Sequence, residues 1–173
     1  MSHFVVPNHI IVGNGVLNEA APILKKMGNK AFIVTGKHVA VSDMMKKLIS
    51  LLDENDIRYV VFDGITGEPD DVMIENGVDL LKNSDCDFII GIGGGSPLDS
   101  AKAIAAMAVN DGSISDYNGK EISGEILPLA AIPTTAGTGS EATKFTVITD
   151  SQKGIKMLLK GDVLVPKLAI VDS

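Results

Sequence analysis

Short apolar runs alternate along this chain with longer segments whose apolar positions recur at helical spacing. That is the pattern of repeated strand–helix–strand units feeding a parallel sheet. Strands are predicted over 31–35, 59–62, 88–91 and 129–132, and helices over about 16–27, 42–54, 71–83 and 97–109. Ser42 and Asp70 suit N-caps, and Asn110-Asp111-Gly112 suits a helix stop. The fold class is α/β: a Rossmann-like, doubly wound, mostly parallel sheet. Two stretches break the alternation. Phe4-Val5-Val6 and His9-Ile10-Ile11-Val12 read as an N-terminal hairpin around Pro7-Asn8, and the apolar runs at 145–148, 155–158 and 168–171 are expected to extend or edge the sheet. The last run has no helix after it, so apolar surface and self-association into a homo-oligomer are expected there.

Composition narrows the class. With 173 residues and 45% hydrophobic content, the chain supplies one ordinary core, and no repeat, low-complexity tract or linker divides residues 1–173. The net charge of −7, with no basic run, argues against nucleic acid or an anionic membrane surface as partner. Met1-Ser2-His3-Phe4 has neither the charge nor the apolar length of a signal peptide or anchor, so a soluble cytoplasmic protein is expected. Cys86 stands alone, which removes disulfides and thiolate clusters and reads as a small buried hydrophobe.

Candidate chemistry starts at Phe88-Ile89-Ile90-Gly91-Ile92-Gly93-Gly94-Gly95-Ser96-Pro97, a buried strand turning through glycines into a helix. Uncovered N–H groups at a helix start, on the positive end of its dipole, form an anion site suited to a nucleotide pyrophosphate. Ser96 is the expected N-cap, Pro97 the first helical residue, and Asp99 the partner in a capping box. The common G-x-G-x-x-G fingerprint needs glycine where Ser96 stands, and the nearest acidic residue at the usual spacing, Asp111, falls in a helix-ending turn. Close packing of helix on strand is an alternative reason for the glycines. A second loop follows the strand at 129–132: Pro133-Thr134-Thr135-Ala136-Gly137-Thr138-Gly139-Ser140-Glu141-Ala142-Thr143. Its hydroxyls suit phosphate, ribose or carboxamide groups, although such loops also form ordinary turns.

The two motifs, in this order and spacing, resemble the N-terminal half of an iron-containing, or group III, alcohol dehydrogenase. The likeness runs along essentially the whole chain, including Gly13 and the closing Pro166-Lys167-Leu168-Ala169-Ile170-Val171-Asp172. It implies a nucleotide-binding domain followed by a helical domain, with a divalent metal, usually iron, in the cleft between them. The implied reaction is hydride transfer between NAD or NADP and a primary alcohol, diol or matching aldehyde. By the same resemblance Gly93, Gly94, Gly95 and Ser96 hold the pyrophosphate, and Asp99 orders the turn or approaches the substrate end. Thr134, Thr135 and Thr138 contact the phosphates and the nicotinamide side, Thr143 contacts ribose or phosphate, and Lys156 reaches a ribose. On the residues alone, Asp99 is equally a capping residue and Lys156 equally a solvated charge.

Two positions depart from the NAD-preferring pattern. Thr35-Gly36-Lys37-His38 stands where many relatives have Thr-Asp-Lys, which removes a carboxylate that repels a 2′-phosphate and leaves Lys37 to attract one; NADP is slightly favoured. Glu68-Pro69 replaces an Asn-Pro that often lies beside the adenosine. The family's metal ligands, one Asp and three His, lie downstream of the matching segment, and His3, His9 and His38 lack ligand spacing. Residues 1–173 alone are therefore expected to bind nucleotide weakly without turnover. Zinc-dependent glycerol dehydrogenases and dehydroquinate synthases tend to replace Ser96-Pro97 and lack the full threonine loop. A non-catalytic nucleotide-binding module is the alternative from another class.

Overall fold

The computed structural model describes residues 4–173. In chain order its elements are β1 (His9–Gly13), α1 (Ala21–Met27), β2 (Lys30–Val34), α2 (Lys37–Ala40), α3 (Asp43–Glu54) and β3 (Arg58–Phe62). There follow α4 (Asp71–Lys82), β4 (Phe88–Gly93), α5 (Gly95–Met107), β5 (Leu129–Pro133), β6 (Phe145–Asp150), β7 (Ile155–Lys160) and β8 (Leu168–Asp172). Six strands form one parallel sheet in the order β1-β8-β5-β4-β2-β3. Successive side chains of a strand point to opposite faces, and both faces here are covered. Phe32, Val34 and Ile89 pack with Ile74, Leu81 and Ile104 of α4 and α5. Ile33, Ile90 and Ile92 pack with Leu24, Leu48 and Leu52 of α1 and α3. Two-sided burial is why β2 and β4 read as unbroken apolar runs.

Local signals are realised where they act within one helical turn. Ser42 Oγ accepts from the Met45 N–H at 3.2 Å, and Asp70 Oδ1 from the Met73 N–H at 2.8 Å, so both caps form as expected. Asp70→Ala is expected to lower stability by about 1 kcal/mol in urea denaturation, because the Met73 donor loses its acceptor. The predicted helix over 16–27 is split into a 3₁₀ turn at Val16–Ala20 and α1.

Three expectations are corrected. No hairpin forms at the start of the chain among the described residues: β1 pairs in parallel with β8, from His9 beside Leu168 to Gly13 beside Asp172. An isolated two-stranded ribbon is marginal in water, and β8 offers a ready row of partners. Asp172 strengthens the choice, its carboxylate accepting from Gly15 N–H at 2.6 Å and Leu17 N–H at 3.0 Å. Second, β8 is interior, with Leu168, Ala169 and Ile170 fully buried, so the apolar surface expected at 168–171 is not formed there. Third, β6 and β7 neither extend nor edge the main sheet; they form a separate antiparallel pair. One face of that pair, carrying Ile148, Met157 and Leu159, is buried in the same cluster as α5, which removes it from either sheet edge.

Candidate functional site

After β2 the chain crosses one face of the sheet to β3, and after β4 it crosses the other face to β5. The adjacent ends of β2 and β4 therefore diverge into a crevice, the position at which open α/β sheets bind ligands. Thr35 Oγ1 donates to the Ile92 carbonyl at 2.9 Å and ties the two strand ends together beneath it. Gly93 turns the chain out of β4 with φ +145°, a conformation that side chains rarely adopt, and a Cβ there would meet Pro97 Cγ at 2.7 Å. Gly91, one turn of strand earlier, serves packing: its missing Cβ would stand 2.8 Å from Ala101 Cβ. The close-packing reading of the glycines thus holds at Gly91, and at Gly93 a glycine is required by the turn itself.

Helix α5 starts two residues earlier than the sequence suggests. Gly94, in extended conformation, is the N-cap, so Gly95 and Ser96 are the first helical residues and Ser96 does not cap. Their N–H groups precede any intrahelical acceptor, at the helix start that the two clefts lined by Gly95 and Pro97 flank. The capping box with Asp99 is overturned for the same reason. The Asp99 carboxylate instead accepts from Val147 N–H at 2.9 Å, and its carbonyl accepts from Thr146 Oγ1 at 2.8 Å. Burial raises the Asp99 pKa, opposed by the Val147 N–H and by Lys102.

The threonine loop closes over this turn. Thr134 N–H donates to the Gly93 carbonyl at 2.9 Å. Thr135 Oγ1 lies 3.2 Å from where a Gly94 Cβ would stand, and Thr138 Cγ2 lies 3.0 Å from that of Gly95. Thr134, Thr135 and Thr138 are exposed, so their hydroxyls are accessible beside the helix start.

Two clefts flank α5's first turn. One, of about 240 Å³, is lined by Gly36, Lys37, His38, Ile65, Thr66 and Pro97. The other, of about 360 Å³, is lined by Gly95, Asp99, Thr138, Thr143, Phe145 and Leu158 among others. The predicted residues are thereby gathered at one edge of the sheet, Gly36 and Lys37 on one side of the glycine turn and Thr138 and Thr143 on the other. Lys156 stands on β7 with Nζ 2.5 Å from Glu68 Oε1, so it is an ion-paired charge that stays open to solvent. Gly36 has a packing role as well, since a Cβ there would approach the Ile65 carbonyl oxygen to 2.8 Å.

One residue that the sequence reading does not single out lies beneath the loop. Lys102 is fully buried, and its Nζ donates to the Thr143 carbonyl at 2.7 Å, the Phe145 carbonyl at 2.8 Å and Thr143 Oγ1 at 3.2 Å. Burial pushes its pKa down to about 8, against the pull of Asp99 and Glu141. The available signal was a lysine three residues after Asp99 on an otherwise small and apolar helix. Cys86 is half-buried, with burial raising its pKa, which agrees with an unreactive thiol.

Among the described residues, no three His, Cys, Asp or Glu side chains are gathered as a metal ion requires. His9 opens the edge strand β1, His38 lies beside the smaller cleft, and His3 falls outside the described residues. No helix among those residues is long and apolar enough to cross a membrane.

Comparison with known proteins identifies the family. A family model described as iron-containing alcohol dehydrogenase matches residues 7–173. The chain is 37% identical over 174 residues to an NAD-dependent methanol dehydrogenase of Bacillus methanolicus and 33% identical over 176 residues to a 1,3-propanediol dehydrogenase of Citrobacter freundii; each match covers 99% of this chain and 46% of the relative. Among solved structures, a 1,3-propanediol oxidoreductase superposes with a TM-score of 0.96 at 30% identity, covering 99% of this chain and 46% of that one. A sulfoacetaldehyde reductase from Bifidobacterium kashiwanohense in complex with NAD+ gives 0.90 at 34% identity, with coverage of 99% and 46%. The chain spans about half the length of the relatives it matches. On the strength of a match that runs from residue 7 to residue 173 and includes both site loops, the chain belongs to the iron-containing alcohol dehydrogenase family.

Proposed function

We propose that residues 1–173 are the nicotinamide-dinucleotide-binding portion of a metal-dependent dehydrogenase that moves a hydride between NAD or NADP and a primary alcohol, diol or the matching aldehyde. The observation that carries this reading is the first turn of α5, open between two clefts at the divergent ends of β2 and β4. In it, the N–H groups of Gly95 and Ser96 hold the pyrophosphate, with Gly93 and Gly94 leaving its approach clear. Gly36 and Lys37 face the adenosine end. The hydroxyls of Thr134, Thr135, Thr138 and Thr143 orient the phosphates, ribose and carboxamide, while Asp99 and Phe145 wall the nicotinamide end. The nicotinamide supplies the hydride acceptor or donor when bound. The metal is assigned to residues outside those described, so this chain alone is expected to bind nucleotide without turning over alcohol.

Titration with NADH, followed by nicotinamide fluorescence, tests the reading directly. Saturable binding supports it, and the absence of binding to either NADH or NADPH overturns it. Preference between the two nucleotides is best tested at Lys37. Gly36→Asp would also displace the Ile65 carbonyl and confuse packing with charge. Lys37→Glu is expected to weaken NADPH about three- to tenfold more than NADH, because it reverses a charge beside the adenosine cleft. Equal losses for both nucleotides would sink the NADP assignment.

A further inference from the structure

The β6–β7 hairpin presents one face to the larger cleft. Phe145, Val147 and Leu158 line that cleft, and strand alternation places Thr149 and Lys156 on the same face, directly opposite each other across the strand pair. There Lys156 meets Glu68, which lies two residues after Thr66 on the loop lining the smaller cleft. One ion pair therefore links the strand pair that walls the larger cleft to the loop that walls the smaller one, just outside the lining of each. It is not needed to hold them together: Thr149 N–H already donates to the Pro69 carbonyl at 2.8 Å, and Ser151 N–H to Asp71 Oδ1 at 3.0 Å. The pair is also open to water, with the Lys156 and Glu68 side chains 65% and 55% exposed, so it exchanges readily for another anion. Beside it, Thr149 Oγ1 is buried without a hydrogen-bond partner. The replaceable cation and the orphaned hydroxyl thus stand on facing residues of the strand pair, with polar capacity that the pair to Glu68 does not fully use.

We propose that Glu68 competes with the nucleotide's anionic oxygens for Lys156, and so sets how strongly this groove favours the more highly charged nucleotide. This rests on the nucleotide-binding reading above. When the pair opens, Lys156 Nζ turns to a phosphate oxygen or a ribose hydroxyl held near Thr149. The released Glu68 carboxylate stays on the groove wall as a repulsive charge. NADPH carries a further phosphate of about −2 charge, so it gains more than NADH from removal of Glu68.

The test compares NADH and NADPH titrations of the chain with those of Glu68→Gln, Lys156→Met and the double variant. Each is measured at low ionic strength and again in about 0.5 M NaCl, where exposed charges are screened. Both side chains are more than half exposed, so folding is not at risk. Glu68→Gln is expected to tighten NADH binding about threefold and NADPH binding by a larger factor, with most of both gains lost in salt. In the Lys156→Met background both gains should shrink to the part that removal of the Glu68 charge supplies by itself. Unchanged affinities in Glu68→Gln, equal gains for the two nucleotides, or gains as large in the double variant as in Glu68→Gln alone would each overturn the proposal while leaving nucleotide binding intact. Failure of the unmodified chain to bind either nucleotide removes both readings together.

Discussion

Lys102→Met is expected to destabilise the chain by about 2–4 kcal/mol. Methionine fills the volume but donates nothing, so the carbonyls of Thr143 and Phe145 lose their partner inside the protein, and half-buried Asp99 loses its compensating charge. The opposing effect is relief of the cost of burying an ammonium, which is what holds its pKa near 8. We expect the lost partners to outweigh that relief at neutral pH, because removing one member of a buried polar set strands all the others. The pH dependence has a definite sign. Below pH 8 the lysine is charged in both the folded and the unfolded chain, and the burial cost is fully present. Between there and its ordinary value of 10.5, the folded chain has released the proton while the unfolded chain keeps it, so this residue's contribution to stability rises with pH. Urea melts at about pH 7 and about pH 9.5 should show the gap between the parent and Lys102→Met widening, toward a limit of about 3 kcal/mol across the whole window. A gap that narrows over that range contradicts a charged, buried Lys102.

Gly93→Ala is expected to weaken NADH binding at least tenfold. The φ of +145° costs an alanine about 1–3 kcal/mol, and its Cβ would meet Pro97 Cγ at 2.7 Å, so the turn must open and shift the first N–H groups of α5. Those groups are the proposed pyrophosphate donors. Gly119→Ala is the matched control: Gly119 also has positive φ, at +76°, yet a Cβ there meets nothing within 4 Å, and the residue lies outside both clefts. It should lose a similar increment of stability in denaturant while binding NADH as before. Equal affinities for Gly93→Ala and the parent would remove the glycine turn from the binding site.

Much of the site was legible because it is built from local chemistry. Hydroxyl and carboxylate caps at Ser42 and Asp70 act on donors three residues away, and the runs at 31–35, 59–62, 88–91 and 129–132 match strands within one or two residues. The glycine turn and threonine loop could be placed at the same sheet edge because both follow parallel strands. Errors entered where the deciding partner lay far along the chain. His9 pairs beside Leu168, which no periodicity within residues 4–12 can reveal, so the local pattern points to the neighbouring run instead. Asp99 has the spacing of a capping residue but finds Val147, forty-eight residues on, once α5 starts at Gly95. Lys102 is buried only because the segment entering β6 covers it, with Thr143 and Phe145, more than forty residues on, supplying its acceptors.

By itself the sequence determined the alternation of strands and helices, the helix starts set by side-chain caps, and a glycine turn followed by a hydroxyl-rich loop. These depend on residue period and on contacts within a turn or two, and both are written in adjacent letters. Only the tertiary structure decided that β8 lies inside the sheet, that β6 and β7 stand apart from it, that Lys102 is buried beneath the loop it anchors, and that Glu68 pairs with Lys156. Those outcomes depend on which surfaces compete best for burial and on which donors find acceptors across long separations. Strand pairing and hairpin docking settle that competition for the chain as a whole, not segment by segment.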